Sequence, residues 1–299
     1  MSGAVEGLIF DLDTFAVHDG PGLRIAVYLK GCPLACAWCH NPESRRAGPE
    51  LILLRDRCAR CGACVPSCPR GAHRLADGAH LLQRDLCQAC GTCVDRCVHG
   101  ALALKGHPIA ASAVVAKAVR LRPFFDHSGG GVTLTGGEPT LQPEFADAVL
   151  AGCQEQGIHT ALETCGACAW ERLALLLPHT DLVLYDLKLM DDAEHRRWTG
   201  ASNRLILENA ARLAGAKVQV RIPLIPAITD TDENLRGLFA FMQSVGLPSA
   251  ALLPYNPAAA AKYEWLDLAY PLSGEPQTPA RLAVIREMAA DFGVGAAIT

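Results

Sequence analysis

Three thiols, Cys32, Cys36 and Cys39, stand within the stretch 31–41, with three and then two residues between them. No other feature narrows the chain's options as much, because thiols so spaced can close on one metal centre. Three thiolates can hold three irons of a 4Fe–4S cube, whereas such cubes ordinarily take four Cys. A cube held by three protein sulfurs leaves one iron open to bind a substrate, the same logic that separates catalytic from structural zinc sites. A zinc knuckle or three unrelated thiols are the competing readings of the motif taken alone.

The chain of 299 residues can hold one large or two smaller domains and can bury a sizeable core. Half of the residues are hydrophobic, and the formal net charge of −4 argues against a polyanionic partner. No basic stretch offers a nucleic-acid footprint. Met1 to Phe10 lacks the basic and long apolar regions of a signal peptide, and no apolar run is long enough to cross a bilayer. Fourteen Cys, many in CxxC spacing and without an export signal, read as metal ligands rather than disulfides. The expectation is a cytoplasmic, oxygen-sensitive protein that engages neither nucleic acid nor membrane.

Leu23–Leu29 is an apolar, β-branched run of strand character, and the Asp19-Gly20-Pro21-Gly22 before it is a turn by its chemistry. The three-Cys motif therefore begins where a strand ends, which is where parallel α/β barrels build their sites. His18 and Asp19 read either as part of that site or as solvated turn residues. After His107, helical patterns over 110–122, 145–156, 170–177, 203–214, 233–245 and about 278–292 alternate with strand patterns over 132–135, 158–162, 182–185, 218–226 and 251–256. A short apolar tail runs to Thr299. Strands alternating with helices predict a parallel sheet with right-handed crossovers. Six strands fall short of the eight of a closed barrel. The expected fold is α/β, an open (β/α)6 partial TIM barrel over residues 1–48 and 108–299.

Residues 49–107 differ in composition and contain a repeat. Cys58, Cys61, Cys64 and Cys68 follow the spacing C-x2-C-x2-C-x3-C, and so do Cys87, Cys90, Cys93 and Cys97; Gly71-Ala72 and Gly100-Ala101 follow the two copies. The doubled pattern resembles a bacterial two-cluster ferredoxin, in which the fourth Cys of each run crosses to the other cluster. That resemblance implies one cluster on Cys58, Cys61, Cys64 and Cys97 and another on Cys87, Cys90, Cys93 and Cys68. Pro69 follows the first run as expected, whereas Val98 replaces the second Pro. Zinc is the competing reading, although it favours paired CxxC halves on separate loops. The segment is expected to be a ferredoxin-like insert carrying two 4Fe–4S clusters.

The C-x3-C-x2-C spacing itself resembles the signature of radical S-adenosylmethionine (radical SAM) enzymes. Gly136-Gly137-Glu138-Pro139, after the next predicted strand, resembles their SAM-amino-binding loop; glycines allow close approach of backbone, and a carboxylate complements an ammonium. Nearly end to end, the chain is similar to the glycyl-radical-enzyme activating proteins. The landmarks are 17–22, Lys30-Gly31-Cys32-Pro33, Trp38-Cys39-His40-Asn41-Pro42-Glu43-Ser44, Glu163-Thr164-Cys165-Gly166, Asp186-Leu187-Lys188, 221–226, and Leu253-Pro254-Tyr255-Asn256 with Lys262-Tyr263. The double ferredoxin motif resembles the cluster-rich subgroup that activates decarboxylases, lyases and dehydratases.

The resemblance implies roles residue by residue. Cys32, Cys36 and Cys39 would bind the open-iron cluster and, with Lys188, form the catalytic set. Trp38 would pack on adenine, and Gly136, Gly137 and Glu138 would face the methionine amino group. Asp186 and Lys188 would reach ribose and carboxylate. His40, Leu187 and Arg221 fall in the same motifs and count among the cofactor-binding residues. Asn256 stands where relatives carry His against the nucleoside, and Ala259 where Gly is common. Glu163 stands where relatives carry Asp near SAM and a monovalent cation. Competing readings are a core aromatic for Trp38, a structural salt pair for Asp186 and Lys188, and packing for Cys153, Cys165 and Cys168. The implied cofactors are three 4Fe–4S clusters, SAM and a monovalent cation. The implied partners are a glycyl radical enzyme and an electron donor such as flavodoxin or ferredoxin. Rival functions are a radical SAM enzyme acting on a small molecule, and a ferredoxin-like electron carrier.

Overall fold

The structure, a computed structural model, describes residues 5–299. Residues 1–4, which open the first expected domain and the stretch read for a leader, lie outside the described residues. The chain runs β1 (Glu6–Ala16), β2 (Arg24–Leu29), β3 (Glu50–Leu53), α1 (Cys64–Ser67), β4 (His73–Ala76), β5 (Ala79–Leu82), α2 (Thr92–Asp95), β6 (Leu102–Lys105), β7 (His107–Ala110) and α3 (Ala111–Ser128). It continues β8 (Gly131–Gly136), α4 (Pro143–Glu155), β9 (His159–Thr164), α5 (Trp170–Leu176), β10 (Leu182–Asp186), α6 (Asp192–Thr199), α7 (Arg204–Arg212) and β11 (Val218–Leu224). The last elements are α8 (Asp232–Ser244), β12 (Ser249–Pro254), α9 (Ala260–Trp265), α10 (Pro279–Asp291) and β13 (Gly295–Ile298).

One nine-stranded sheet organises the chain, in the order β13-β12-β11-β10-β9-β8-β2-β1-β7. The six expected strands are β2 and β8 to β12, side by side and parallel. Three more strands extend them. The tail forms β13, parallel to β12, while β1 and β7 add antiparallel partners beyond β2. Four residues of small and apolar character carry too little periodicity to mark β13 as a strand beforehand. With β13 and β7 at its two ends the sheet is open.

Alternation along the strands divides the sheet's two faces. Val132, Leu134, Leu162, Val183, Tyr185, Val220, Ile222 and Leu252 join the main core, together with buried residues of α3, α4, α5, α7, α8 and α10. The opposite face carries Ala26, Thr133, Ala161 and Leu184. Nearer the C-terminal strand ends it carries Tyr28, Thr135, Glu163, Asp186 and Arg221, as the strand registers require. Low on that face the fully buried Arg24 donates from Nε to Thr133 Oγ1 at 2.6 Å, and polar side chains gather at the C-terminal strand ends.

Between β2 and β7 the chain builds two further small sheets, β3 with β6 and β4 with β5. Leu51, Leu53, Cys93 and Leu102 form a separate cluster there. Arg84 ties this region to the end of α9, through Asp267 Oδ2 and the Trp265 carbonyl, each at 2.8 Å. No helix among the described residues is long and apolar enough to cross a membrane.

Candidate active site

The loop after β2 carries the three thiols, and its backbone is pinned on two sides. Gly31 and Cys32 donate N–H bonds to the Ser44 and Arg45 carbonyls at 2.6 and 3.1 Å. Ala35 and Ala37 donate to Thr199 and Trp198 at 2.7 and 2.9 Å, at the C-terminal end of α6. The sequence reading missed α6 because it is polar and shows no apolar stripe. Its end signals were nevertheless present: Asp191 accepts from Glu194 N–H at 2.8 Å as the N-cap, and Gly200 closes the helix at φ 79°. From α9, Tyr263 Oη accepts from Arg45 Nη2 at 2.7 Å and donates to the Ala37 carbonyl at 3.2 Å. Arg45 also donates to the Cys36 carbonyl. Lys262 Nζ bridges Asn41 Oδ1 at 2.8 Å and the buried Glu43 Oε1 at 3.0 Å. These four holding residues (Arg45, Glu43, Lys262, Tyr263) were not assigned from sequence, although Lys262-Tyr263 and Glu43 lay inside quoted motifs.

The loop brings Cys32, Cys36 and Cys39 within electrostatic reach of one another. Burial pushes the Cys36 thiol up to about 12; Lys188 opposes that, and Cys39 and Cys32 add to it. Burial likewise raises Cys39, against Arg45. Cys165, read from sequence as a packing residue, lies against Cys32. Their hydrogen bond lowers the Cys32 thiol and holds Cys165 well above the usual thiol range.

Gly136 and Gly137 pass so close to this loop that no side chain fits. Gly136 adopts φ +98°, and a Cβ on Gly137 would sit 2.0 Å from the Gly31 carbonyl oxygen. Gly137 and Glu138 donate N–H bonds to Leu29 and Gly31 at 2.8 and 2.7 Å. The Glu138 carboxylate, expected to face the SAM amino group, already has partners within the chain. It is fully buried, and its oxygens accept from Thr140 N–H, Thr140 Oγ1, Thr164 Oγ1 and Cys165 N–H. It knots the loop after β8 to the end of β9 instead of pointing into open space.

Asp186 and Lys188 form a salt bridge at 2.7 Å, with the Lys188 side chain 8% exposed. Burial disfavours the Lys188 charge, yet Asp186, then Cys36 and Cys165, outweigh it and raise the ammonium above its usual range. Asp186 lies beside Arg221 in register. Arg221 Nη1 reaches Glu163 Oε2 at 3.2 Å, and Thr135 Oγ1 donates to the same oxygen at 2.7 Å. Tyr28 Oη donates to Asp19 Oδ2 at 3.3 Å, which brings the turn before β2 into this group. Burial lifts the Glu163 carboxyl to about 7; Arg221 pulls it down, while Asp186 and Asp19 push it up. Arg221 Nε is buried with no acceptor. Tyr28 and Thr135 were missed; the inward positions of their strands were the available signal.

The remaining expected residues divide. Trp38 is 5% exposed and packs in the main core, and Leu187 is buried, with its N–H on the Arg221 carbonyl at 3.0 Å. His40 is exposed and meets the backbone of Asn256. The Asn256 side chain is also exposed, and its Oδ1 accepts from Ala258 N–H at 2.9 Å.

Apart from this site, eight thiols line two cavities. Cys58, Cys61, Cys64 and Cys97 face one, which is partly open to solvent. Cys68, Cys87, Cys90 and Cys93 face the other. Each cavity thus takes three thiols of one repeat and the last thiol of the other. The two repeats coil alike: Arg60 and Ala89 have φ 56° and 51°, and Gly62 and Gly91 have 79° and 83°. Ala101 and Ala72 donate N–H bonds to Cys97 and Cys68 Sγ, both at 3.3 Å.

Comparison with known proteins bears on the family. Residues 101–239 match the Radical SAM superfamily and residues 57–102 a 4Fe-4S dicluster domain. The choline trimethylamine-lyase activating enzyme of Oleidesulfovibrio alaskensis is 40% identical over 91% of this chain and 90% of its own. The isethionate sulfite-lyase activating enzyme of Nitratidesulfovibrio vulgaris is 39% identical over 95% and 96%. The trans-4-hydroxy-L-proline dehydratase activating enzyme of Clostridioides difficile is 41% identical over 86% and 87%. Among solved structures, a radical SAM methyltransferase from Sphaerobacter thermophilus superposes with a TM-score of 0.55 at 15% identity, over 92% of this chain and 66% of that one. It supports the fold alone. A chain that shares this fold, both matches and such identity along nearly its whole length belongs to the radical SAM family of glycyl-radical-enzyme activating enzymes.

Proposed function

We propose that this chain reductively cleaves SAM and takes a hydrogen atom from a glycine of a partner glycyl radical enzyme of the decarboxylase, lyase or dehydratase type. One observation carries the reading: the three-thiol loop, the Gly136-Gly137 turn and the Asp186–Lys188 pair converge at the C-terminal ends of neighbouring parallel strands. The relatives, which activate lyases and a dehydratase by name, support the partner class.

The residues fit the groups this chemistry needs. Cys32, Cys36 and Cys39 offer an all-sulfur donor set with no fourth ligand in the loop, as an open-iron 4Fe–4S cluster requires. Bound there, the cluster supplies the electron that splits a sulfur–carbon bond of SAM. Arg45, Tyr263 and α6 hold the loop so that the thiols keep one geometry. Gly136 and Gly137 bring the β8 backbone against the same loop, where carbonyls can accept from the SAM amino group. Lys188, kept charged by Asp186, suits the SAM carboxylate. The unmet Arg221 Nε–H, buried beside Glu163, is a donor waiting for an acceptor. Glu163 and Thr164 would serve a monovalent cation in the same reading. Trp38, His40, Leu187 and Asn256 complete the cofactor-binding set, Leu187 through its backbone and Trp38 and Asn256 by adjusting away from their core and capping contacts.

The insert over residues 49–107 is a ferredoxin-like domain with two more clusters, one on Cys58, Cys61, Cys64 and Cys97 and one on Cys68, Cys87, Cys90 and Cys93. The two four-thiol cavities support this division. A flavodoxin or ferredoxin is the electron donor, and the open barrel edge admits a peptide of the partner. The test is anaerobic reconstitution. Three cubes require about twelve irons. Replacing Cys32, Cys36 and Cys39 with Ala together should remove about four of them and end SAM cleavage. A triple variant that still yields 5′-deoxyadenosine defeats the assignment.

A further inference from the structure

The β4–β5 hairpin sets two buried imidazoles between the two four-thiol cavities. Its register pairs His73 with Leu82 and Leu75 with His80, so these four side chains share one face. Leu75 and His80 line the cavity of Cys58, Cys61, Cys64 and Cys97, whereas His73 lines the other. His73 and His80 are 3% and 5% exposed. His73 Nδ1 lies 2.9 Å from His80 Nε2. His80 Nδ1 lies 3.5 Å from Cys58 Sγ, and its Nε2 lies 3.6 Å from Cys64 Sγ. His73 Nε2 is buried with no partner.

These contacts select a tautomer. One nitrogen of the 2.9 Å pair carries the proton and the other accepts it. In either tautomer one bare His80 nitrogen faces a ligand sulfur, Nδ1 at Cys58 or Nε2 at Cys64, but if His80 Nε2 were the donor, His73 Nε2–H would in addition be a buried donor without an acceptor. If His73 Nδ1 is the donor, His80 carries its proton on Nδ1 and gives it to Cys58 Sγ. Every N–H of the pair then has a partner, and only a lone pair on His73 Nε2 is left unmet. Main-chain N–H groups reach sulfurs in both cavities, with Ala101 on Cys97, Ala72 on Cys68 and Ala89 on Cys87. The imidazole donor goes to the first cavity alone.

We propose that His80, held in this tautomer by the positioning residue His73, tunes the cluster on Cys58, Cys61, Cys64 and Cys97 so that an electron crossing the insert rests there more readily. The proposal builds on the two insert clusters assigned above. An N–H bond to a ligand sulfur favours the reduced cluster and raises its potential. The step is the addition of one electron from the external donor to an oxidised cluster; no proton moves and no bond breaks.

The experiment is a redox titration of the full-length, iron-loaded protein followed by electron paramagnetic resonance, with iron and zinc counted in each sample. His80→Leu should lower the potential of one insert cluster and not the other. The expected size is about tenfold in that cluster's share of the electron, about 59 mV for a one-electron couple. His80→Gln, which keeps an N–H donor, should restore most of it. In wild-type protein labelled with 15N-histidine, pulsed resonance should show a histidine nitrogen coupled to a reduced cluster. The coupling should survive His99→Ala, since His99 lines the same cavity as His80 but belongs to no such pair, and vanish in His80→Gln. An iron-replete His80→Leu protein with both potentials unchanged overturns the proposal, as does wild-type protein without histidine coupling. Stoichiometric zinc replacing four irons would assign Cys64, His73 and His80 to a mononuclear site and overturn it too. Wild-type protein that loads only about four irons would instead defeat the insert clusters themselves.

Discussion

Glu138→Gln separates two uses of one carboxylate: a knot inside the fold, or a partner for the SAM ammonium. Oε1 accepts from Thr140 N–H at 3.1 Å and from Thr140 Oγ1 and Thr164 Oγ1 at 2.8 Å, and Oε2 accepts from Cys165 N–H at 2.8 Å. A Gln amide can keep its oxygen toward the three donors. Its NH2 group then meets the Cys165 N–H, so two donors face one another. Stranding a buried donor costs about 1–3 kcal/mol. The other three bonds drop from charge-assisted to neutral, about 1–3 kcal/mol more in all, and relief of a buried charge returns part of that. The net loss should be about 2–4 kcal/mol, a large share of the stability of an ordinary domain. The assay is anaerobic urea unfolding of iron-loaded wild type and variant, beside calorimetric titration with SAM. Stability should fall by that amount, while SAM affinity of the folded variant falls by less than tenfold. A stability change under about 1 kcal/mol with a tenfold or greater loss of SAM affinity would refute the reasoning and return Glu138 to the ligand.

Three further outcomes follow from the site and the insert. Glu163, with its carboxyl lifted from 4.5 to about 7 chiefly by burial, binds its proton more tightly in the folded chain than in the unfolded one. Stability should therefore fall as pH rises from about 4.5 to about 7, and Glu163→Gln should remove that part of the slope; a wild-type minus variant difference that is flat with pH contradicts it. Cys61→Ala with Cys90→Ala should leave SAM binding largely intact and reduce activation by a physiological reductant more than by a strong chemical one. Equal losses with both reductants would favour a docking or folding role for the insert. Asp19→Ala, which removes the Tyr28 contact at the barrel mouth, should keep SAM cleavage and lose the glycine-centred doublet in the partner's electron paramagnetic resonance spectrum; a doublet of normal intensity would take the turn out of the substrate site.

Much of the molecule is determined locally, and there the amino-acid order alone is informative. Six strands of the sheet announce themselves because each is a compact apolar run bounded by turn chemistry, and β8, β9 and β11 lead directly into helices. The candidate donor sets are legible for a similar reason: thiols two or three residues apart can close on a common centre, although the spacing alone does not say which of them do, since Cys64 and Cys68 line different cavities. The crossed grouping of the doubled four-Cys run follows only from its resemblance to two-cluster ferredoxins, and in the structure each cavity takes its last thiol from the other repeat. Tertiary structure decided what depends on distant chain segments. Glu138 belongs to the end of β9 because Thr164 and Cys165 lie there, 26 and 27 residues further on. Cys165 changes from a packing thiol to a neighbour of Cys32 only when β9 lies next to β8, which lies next to β2. The polar helix α6 has no apolar stripe to advertise it, and its value lies in two carbonyls offered to the Cys loop. His73 and His80 look like ordinary strand residues until the hairpin register stacks them between two cavities. Periodicity reports what a residue must bury, whereas the partners of a buried polar group are chosen by the fold, because only the assembled chain fixes which donor meets which acceptor.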